Sequence, residues 1–171
     1  MFTKTDIEKY FLAEKQLGLT ALCLASALMI GSLLFFFLLK TSFYKGAAIP
    51  LFLVGLLFFA AGYTIYKKSD NDRIRNVYAY DMNPSELRER ELPRINKVVK
   101  NFSLYRYTEI ALVIAGIALF VYFRNREAWF FWKGLGLSLA ILALLLFIVD
   151  TTAEKRAKTY STGLASYLSK K

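Results

Sequence analysis

Four blocks of this sequence carry no Asp, Glu, Lys or Arg: Leu17 to Leu39, Ala47 to Ile65, Ile110 to Phe123 and Gly134 to Val149. Nothing else constrains the fold as strongly. A helix rises about 1.5 Å per residue, so about 20 apolar residues cross a hydrocarbon layer roughly 30 Å thick. The first block spans that layer, and the second nearly does. The third and fourth reach the length by adding Tyr105, Tyr107 and Thr108 before one and Trp129 to Trp132 before the other. The expected fold is an all-α integral membrane protein with spans at about residues 17–39, 47–66, 107–123 and 130–150. The 171 residues form one membrane domain, with a loop over 67–106 and a tail over 151–171.

The first block does not look like a removable signal peptide. It starts late, follows Lys4, Lys9 and Lys15 interleaved with acids, and leads to no A-x-A-like site. Leu22 before Cys23 argues against a lipidation site, and one cysteine allows no internal disulfide. The sequence contains no histidine, which excludes His-ligated metals, Ser-His-Asp triads and His proton shuttles.

Charge orients the spans. Of the 23 Lys and Arg residues, 18 fall before the first span, between the second and third, or after the fourth, where the tail ends in Lys170 and Lys171. By the positive-inside rule both termini and the central loop are cytoplasmic, in a cell membrane of the bacterial inner-membrane kind. Phe43-Tyr44 and Trp129 to Trp132 suit the opposite interface. The net charge of +10 is then mostly orientation. It attracts the anionic inner leaflet at about 1 kcal/mol per basic residue near the surface, and no nucleic-acid partner is expected.

The two halves echo one another. Phe43-Tyr44-Lys45-Gly46 opens the second span and Phe131-Trp132-Lys133-Gly134 opens the fourth, 88 residues later; at that offset Lys67-Lys68 matches Lys155-Arg156. A duplicated helical hairpin is one explanation, and interfacial composition alone is the other. Ridges of small residues (Ala21, Ala25 and Ser32; Gly55 and Gly62; Ala111, Ala115 and Ala118; Gly136, Ala140 and Ala143) allow close helix packing, in one bundle or between copies.

The loop reads as a cytoplasmic helical hairpin turning at Met82-Asn83-Pro84. Asn83 as N-cap, Pro84 at the first helical position and Glu86 reaching back to the cap predict a short helix from Ser85 to Leu92, bounded by Pro93. Ile95, Val98, Val99 and Phe102 then continue into the third span. Thr5-Asp6-Ile7-Glu8 predicts a capping box before an N-terminal amphipathic helix, and Tyr160, Leu164, Tyr167 and Leu168 give the tail an apolar face broken by Gly163.

Four acids sit at the cytoplasmic ends of spans: Glu14, Glu109, Asp150 and Glu154. Ion pairing with Arg73, Arg75, Arg106 and their neighbours is the expected role, locking the hairpin to the bundle. Neither a phosphate cradle nor a complete calcium loop occurs, so no enzyme and no cofactor are expected. The expectation is a non-enzymatic protein that works by contact with a protein partner or a second copy, of accessory, immunity or scaffold type. The alternative is an oligomeric ion channel or small transporter.

Overall fold

Toward the chain termini and the central loop, each apolar block is flanked by amphipathic turns of the same helical period, so nothing stops a helix at that edge of the block. The computed structural model describes residues 2–170, the Glu127 side chain apart, and leaves Lys171 of the basic tail outside the described residues. Four helices carry the chain: α1 (Lys4–Phe37), α2 (Ser42–Met82), α3 (Pro84–Phe123) and α4 (Phe130–Leu168). All four are long and apolar enough to cross a membrane. The 41 residues of α2 extend about 60 Å, twice a hydrocarbon layer. The surplus projects at the end that holds both termini and the α2–α3 turn, hereafter the terminal end. The other end, the loop end, has two short connections. In the first, Lys40 takes a left-handed conformation with φ of 47°, where a Cβ is unfavourable.

Two antiparallel hairpins result, α1 with α2 and α3 with α4, and they join through α2 and α4. The seam of the first repeats every seventh residue. Phe11, Gly18, Ala25 and Ser32 of α1 are buried, as are Ala48, Gly55, Gly62 and Ser69 of α2. Ser32 donates its hydroxyl to the Ala48 carbonyl at 2.8 Å, and Gly18 meets Gly62 backbone to backbone. A seven-residue period in a 3.6-residue helix imposes a left-handed supercoil, and small seam residues let the axes approach closely. The second hairpin uses Ile95, Glu109 and Gly116 against Gly136, Ala143, Ala157 and Leu164. Ala111, Ala115 and Ala118, expected in the seam, are exposed instead. The heptad phase selects Gly116, with Glu109 a repeat before it, and turns those alanines outward.

The 88-residue echo is structural at the point where the hairpins join. A methyl group on Gly46 would overlap the Phe131 carbonyl oxygen and lie 2.8 Å from its carbon and 3.1 Å from the nitrogen of Leu135. A methyl on Gly134 would meet Phe43 and Ala47 in the same way, at the same distances. The close approach is thus two-fold pseudosymmetric. Pro50, one turn beyond Gly46, has no N–H to offer the Gly46 carbonyl within its own helix.

Helix starts differ from the sequence pattern in two places. The capping box at the N-terminus is Thr3 with Asp6, not Thr5 with Glu8: the backbone N–H and hydroxyl of Thr3 both donate to Asp6 Oδ2 at 2.8 Å. At the α2–α3 turn Asn83 caps no N–H with its side chain and accepts from the Ser85 hydroxyl instead, while Glu86 turns to Arg90 and Arg75. Pro93 bounds nothing. A π-helical turn at Leu87–Glu91 precedes it and the helix runs on, because a proline near the start of the α-helical stretch lacks only a bond already broken by the π turn.

Candidate functional site

The terminal end holds a core of the kind found in soluble proteins. Ile7 and Phe11 of α1, Ala79 of α2, Leu87 and Ile95 of α3, and Ala157, Tyr160 and Leu164 of α4 pack into one cluster. Elsewhere the helices expose large apolar side chains around most of their girth. The π turn shapes this core by widening one turn, so that Leu87 and Glu91 both face inward while Arg88, Glu89 and Arg90 stay outside.

Within the core lies a polar layer. Arg94 donates to both Glu91 oxygens, at 2.8 and 2.7 Å, and its guanidinium sits 5.5 Å from the centre of the Phe11 ring. Tyr10 donates to Glu14 at 2.6 Å, and its ring stacks on Tyr160 at 4.0 Å and 9°. The Tyr160 hydroxyl is buried, lies against the Glu91 carboxylate and makes no well-aligned hydrogen bond among the described residues. Asn76 Nδ2, also buried, lacks a partner among the described residues. Phe2 closes the top: its ring covers Gly163 and lies 5.8 Å from Tyr160, and its carbonyl accepts from Tyr80 at 3.2 Å.

Burial sets the electrostatics. It raises the Glu14 pKa above the usual carboxyl value; the Tyr10 hydrogen bond and Arg94 oppose the shift, and the charges of Glu91 and Asp72 reinforce it. Arg94 is disfavoured by burial but held charged by Glu91, Glu14 and Tyr10, and its pKa is raised on balance. Tyr10 and Tyr160 are both pushed up, chiefly by burial. One cation therefore serves two acids here, and it is committed to Glu91.

The residues singled out in the sequence fall into several groups. Glu14 belongs to the polar layer. Arg73 pairs with Asp70 at 3.5 Å, and Arg75 with Asp72 at 2.8 Å and Glu86 at 4.0 Å, across the α2–α3 turn where Asn83 and Pro84 sit. Arg106 pairs with Glu154, which also meets Lys158 at 2.7 Å. Glu109 and Asp150, expected to meet basic residues, face one another across the α3–α4 seam, with Arg106 the basic neighbour of Glu109. They occupy the seam positions that Ala25 and Gly62 fill in the first hairpin, so this acid pair is an addition to a shared frame. Tyr10, Glu91, Arg94 and Tyr160 were not legible as a group. The E-x-x-R spacing of Glu91 and Arg94 on a helix was the available signal, hidden among the charges around it.

No protein-family model matches this chain, and no curated protein or solved structure resembles it significantly.

Proposed function

We propose that this is a non-enzymatic, multi-pass membrane protein that works by contact, with both termini and the α2–α3 hairpin in the cytoplasm of a bacterial cell. The observation that carries the reading is a stripe of exposed apolar residues beyond the apolar spans. Ile74, Tyr78 and Met82, one helical turn apart on α2, are 62%, 63% and 71% exposed. A helix rises about 1.5 Å per residue, so Met82 stands about 24 Å past Tyr66 at the edge of the second span. Lipid does not cover a surface so placed, and exposed apolar patches mark interaction sites. The stripe lines a shallow groove of about 490 Å³, edged by Lys4, Glu8 and Arg73. The packed core beneath it supplies the rigid backing that a protein contact needs. A protein partner of accessory, immunity or scaffold type fits this surface, and the basic rim of the terminal end suits an anionic inner leaflet.

A pore within one bundle finds no support, because its helix seams are closed by backbone approach at Gly18 with Gly62, Gly116 with Gly136, and Gly46 and Gly134 with Phe131 and Phe43 of the opposite helix; a pore between copies is the channel form that remains as the alternative. The test is purification from native membranes in mild detergent, comparing wild type with Tyr78→Glu/Met82→Glu. A stoichiometric partner lost in the variant, at unchanged thermal stability, is expected. Identical composition in both, or ion flux from the protein alone in liposomes, refutes the reading.

A further inference from the structure

The two hairpins share a frame but not its charges. Glu109 and Asp150 stand where Ala25 and Gly62 stand in the first hairpin, so positions match at offsets of 84 between α1 and α3 and 88 between α2 and α4. Lys67-Lys68 and Lys155-Arg156 match at the second offset and serve orientation in both halves. The outer edge of the α3–α4 seam differs from its counterpart. Lys100, Arg106 and Lys158 occupy the places that Gln16, Leu22 and Asp70 hold in the first hairpin. Residues 96–110 and 150–161 carry six basic and three acidic side chains, against four and three over the matching 12–26 and 62–73. Both hairpins meet the same layer of headgroups, so orientation does not account for the difference.

Glu154 fixes two of these cations at the seam. Its side chain is 4% exposed and pairs with Arg106 and, at 2.7 Å, with Lys158, which are 40% and 55% exposed. One buried carboxylate thus holds two cations, and both keep donors to spare on the solvent side. Further along the seam Ser161 donates to Asn96 at 2.7 Å, and the exposed Lys100 and Ser103 follow Asn96 at spacings of four and three, on the way to Arg106. Glu109 and Asp150 lie deeper and face one another within the seam. Arg106 borders the third apolar span, so the cluster stands at the height of the headgroups, and the exposed Tyr107, Ile110 and Ile114 continue the edge into the hydrocarbon. Lys158 leans back toward the bilayer, because helical side chains tilt toward the N-terminus of their helix. We propose that this edge binds the phosphate of one anionic phospholipid. Arg106 and Lys158 donate to its oxygens, Lys100 and Ser103 flank it, and an acyl chain runs along Tyr107, Ile110 and Ile114. Arginine and lysine make strong charge-assisted hydrogen bonds to phosphate, and basic recesses between helix ends are the form that headgroup sites take. The apolar continuation selects a lipid over a free phosphate. The site rests on the reading of this chain as a membrane protein, and not on a protein partner at Tyr78 and Met82.

The test is native mass spectrometry of the full chain in detergent, titrated with phosphatidylglycerol or phosphatidylcholine. The wild type should hold a single phosphatidylglycerol in preference to phosphatidylcholine. Lys100→Gln/Lys158→Gln leaves Arg106 on Glu154 and the seam intact; it should weaken that binding about 30-fold, about fivefold for each basic residue. Lys67→Gln/Lys68→Gln removes as many charges from the first hairpin and should weaken it less than about threefold, because screening isolates distant surface charges. Tyr78→Glu/Met82→Glu should bind the lipid as the wild type does, so that loss of a protein partner and loss of the lipid are read separately. Glycerol phosphate in large excess should not displace the lipid. Equal binding of the two lipids, equal losses in the two lysine variants, or displacement by glycerol phosphate would each overturn the proposal.

Discussion

Removing one partner of the Glu91–Arg94 pair should cost far more than removing both. Glu91 is 1% exposed at its side chain and Arg94 31%. Breaking a buried pair from one side costs about 3–5 kcal/mol, because the remaining charge stays desolvated. Glu91→Leu leaves an arginine that keeps partial access to water and still has Glu14 beside it, and so falls at the low end, about 3 kcal/mol, or roughly 150-fold in the opening equilibrium. Arg94→Leu strands a carboxylate with almost no access and also loses the contact over Phe11, which is worth about 0.5–1 kcal/mol at a partly exposed site; a cost near 5 kcal/mol is expected. In Glu91→Leu/Arg94→Leu both charges are gone and the volume is refilled, so opening returns to within about 1 kcal/mol of wild type or becomes harder. Native-state hydrogen exchange measures this at the amides of Phe11 and Ile95, which sit in the affected core. The order should be Arg94→Leu worst, Glu91→Leu next, double variant best. A double variant as costly as the sum of the singles, or a Glu91→Leu effect below about 0.5 kcal/mol, refutes the account of a buried, coupled pair.

Two further outcomes follow from the frame. Gly46→Ala and Gly134→Ala should destabilise the join between hairpins by similar amounts, each about 1–3 kcal/mol or more, since each methyl meets the same backbone atoms of the opposite helix; thermal unfolding in detergent should show matched losses, and a clear inequality would remove the pseudosymmetric explanation. Lys40→Gly should stabilise by about 0.5–1 kcal/mol in the same assay by relieving a left-handed backbone at the α1–α2 connection, and a loss of stability would show that the lysine side chain matters more than its φ.

The α-helical class, the four helices long and apolar enough to cross a membrane, and the turn at Met82-Asn83-Pro84 follow from the sequence alone. Hydrocarbon thickness fixes how long an apolar run must be, and a proline fixes where a helix can begin. The heptad seam was partly legible, since Ala25, Ser32, Gly55 and Gly62 already stood seven apart. Which small residues of the third span enter a seam was not, because Ala111, Ala115 and Ala118 satisfy the same pattern as Gly116 and only the partner helix chooses the face. Pairing of charges was the least legible. Arg106 has Glu109 on its own face three residues away, yet it reaches across to Glu154, and Glu109 meets Asp150. Long charged side chains have many partners within reach along the chain, and the distance between helices decides among them. The polar layer is the extreme case. Tyr10, Glu14, Glu91, Arg94 and Tyr160 come from three helices, and a π turn brings Glu91 inward; no local spacing encodes that meeting. Sequence periodicity sets how each helix is made and which stripe of it avoids water, while the relative register of four helices, a property of their packing alone, sets which side chains share a buried space.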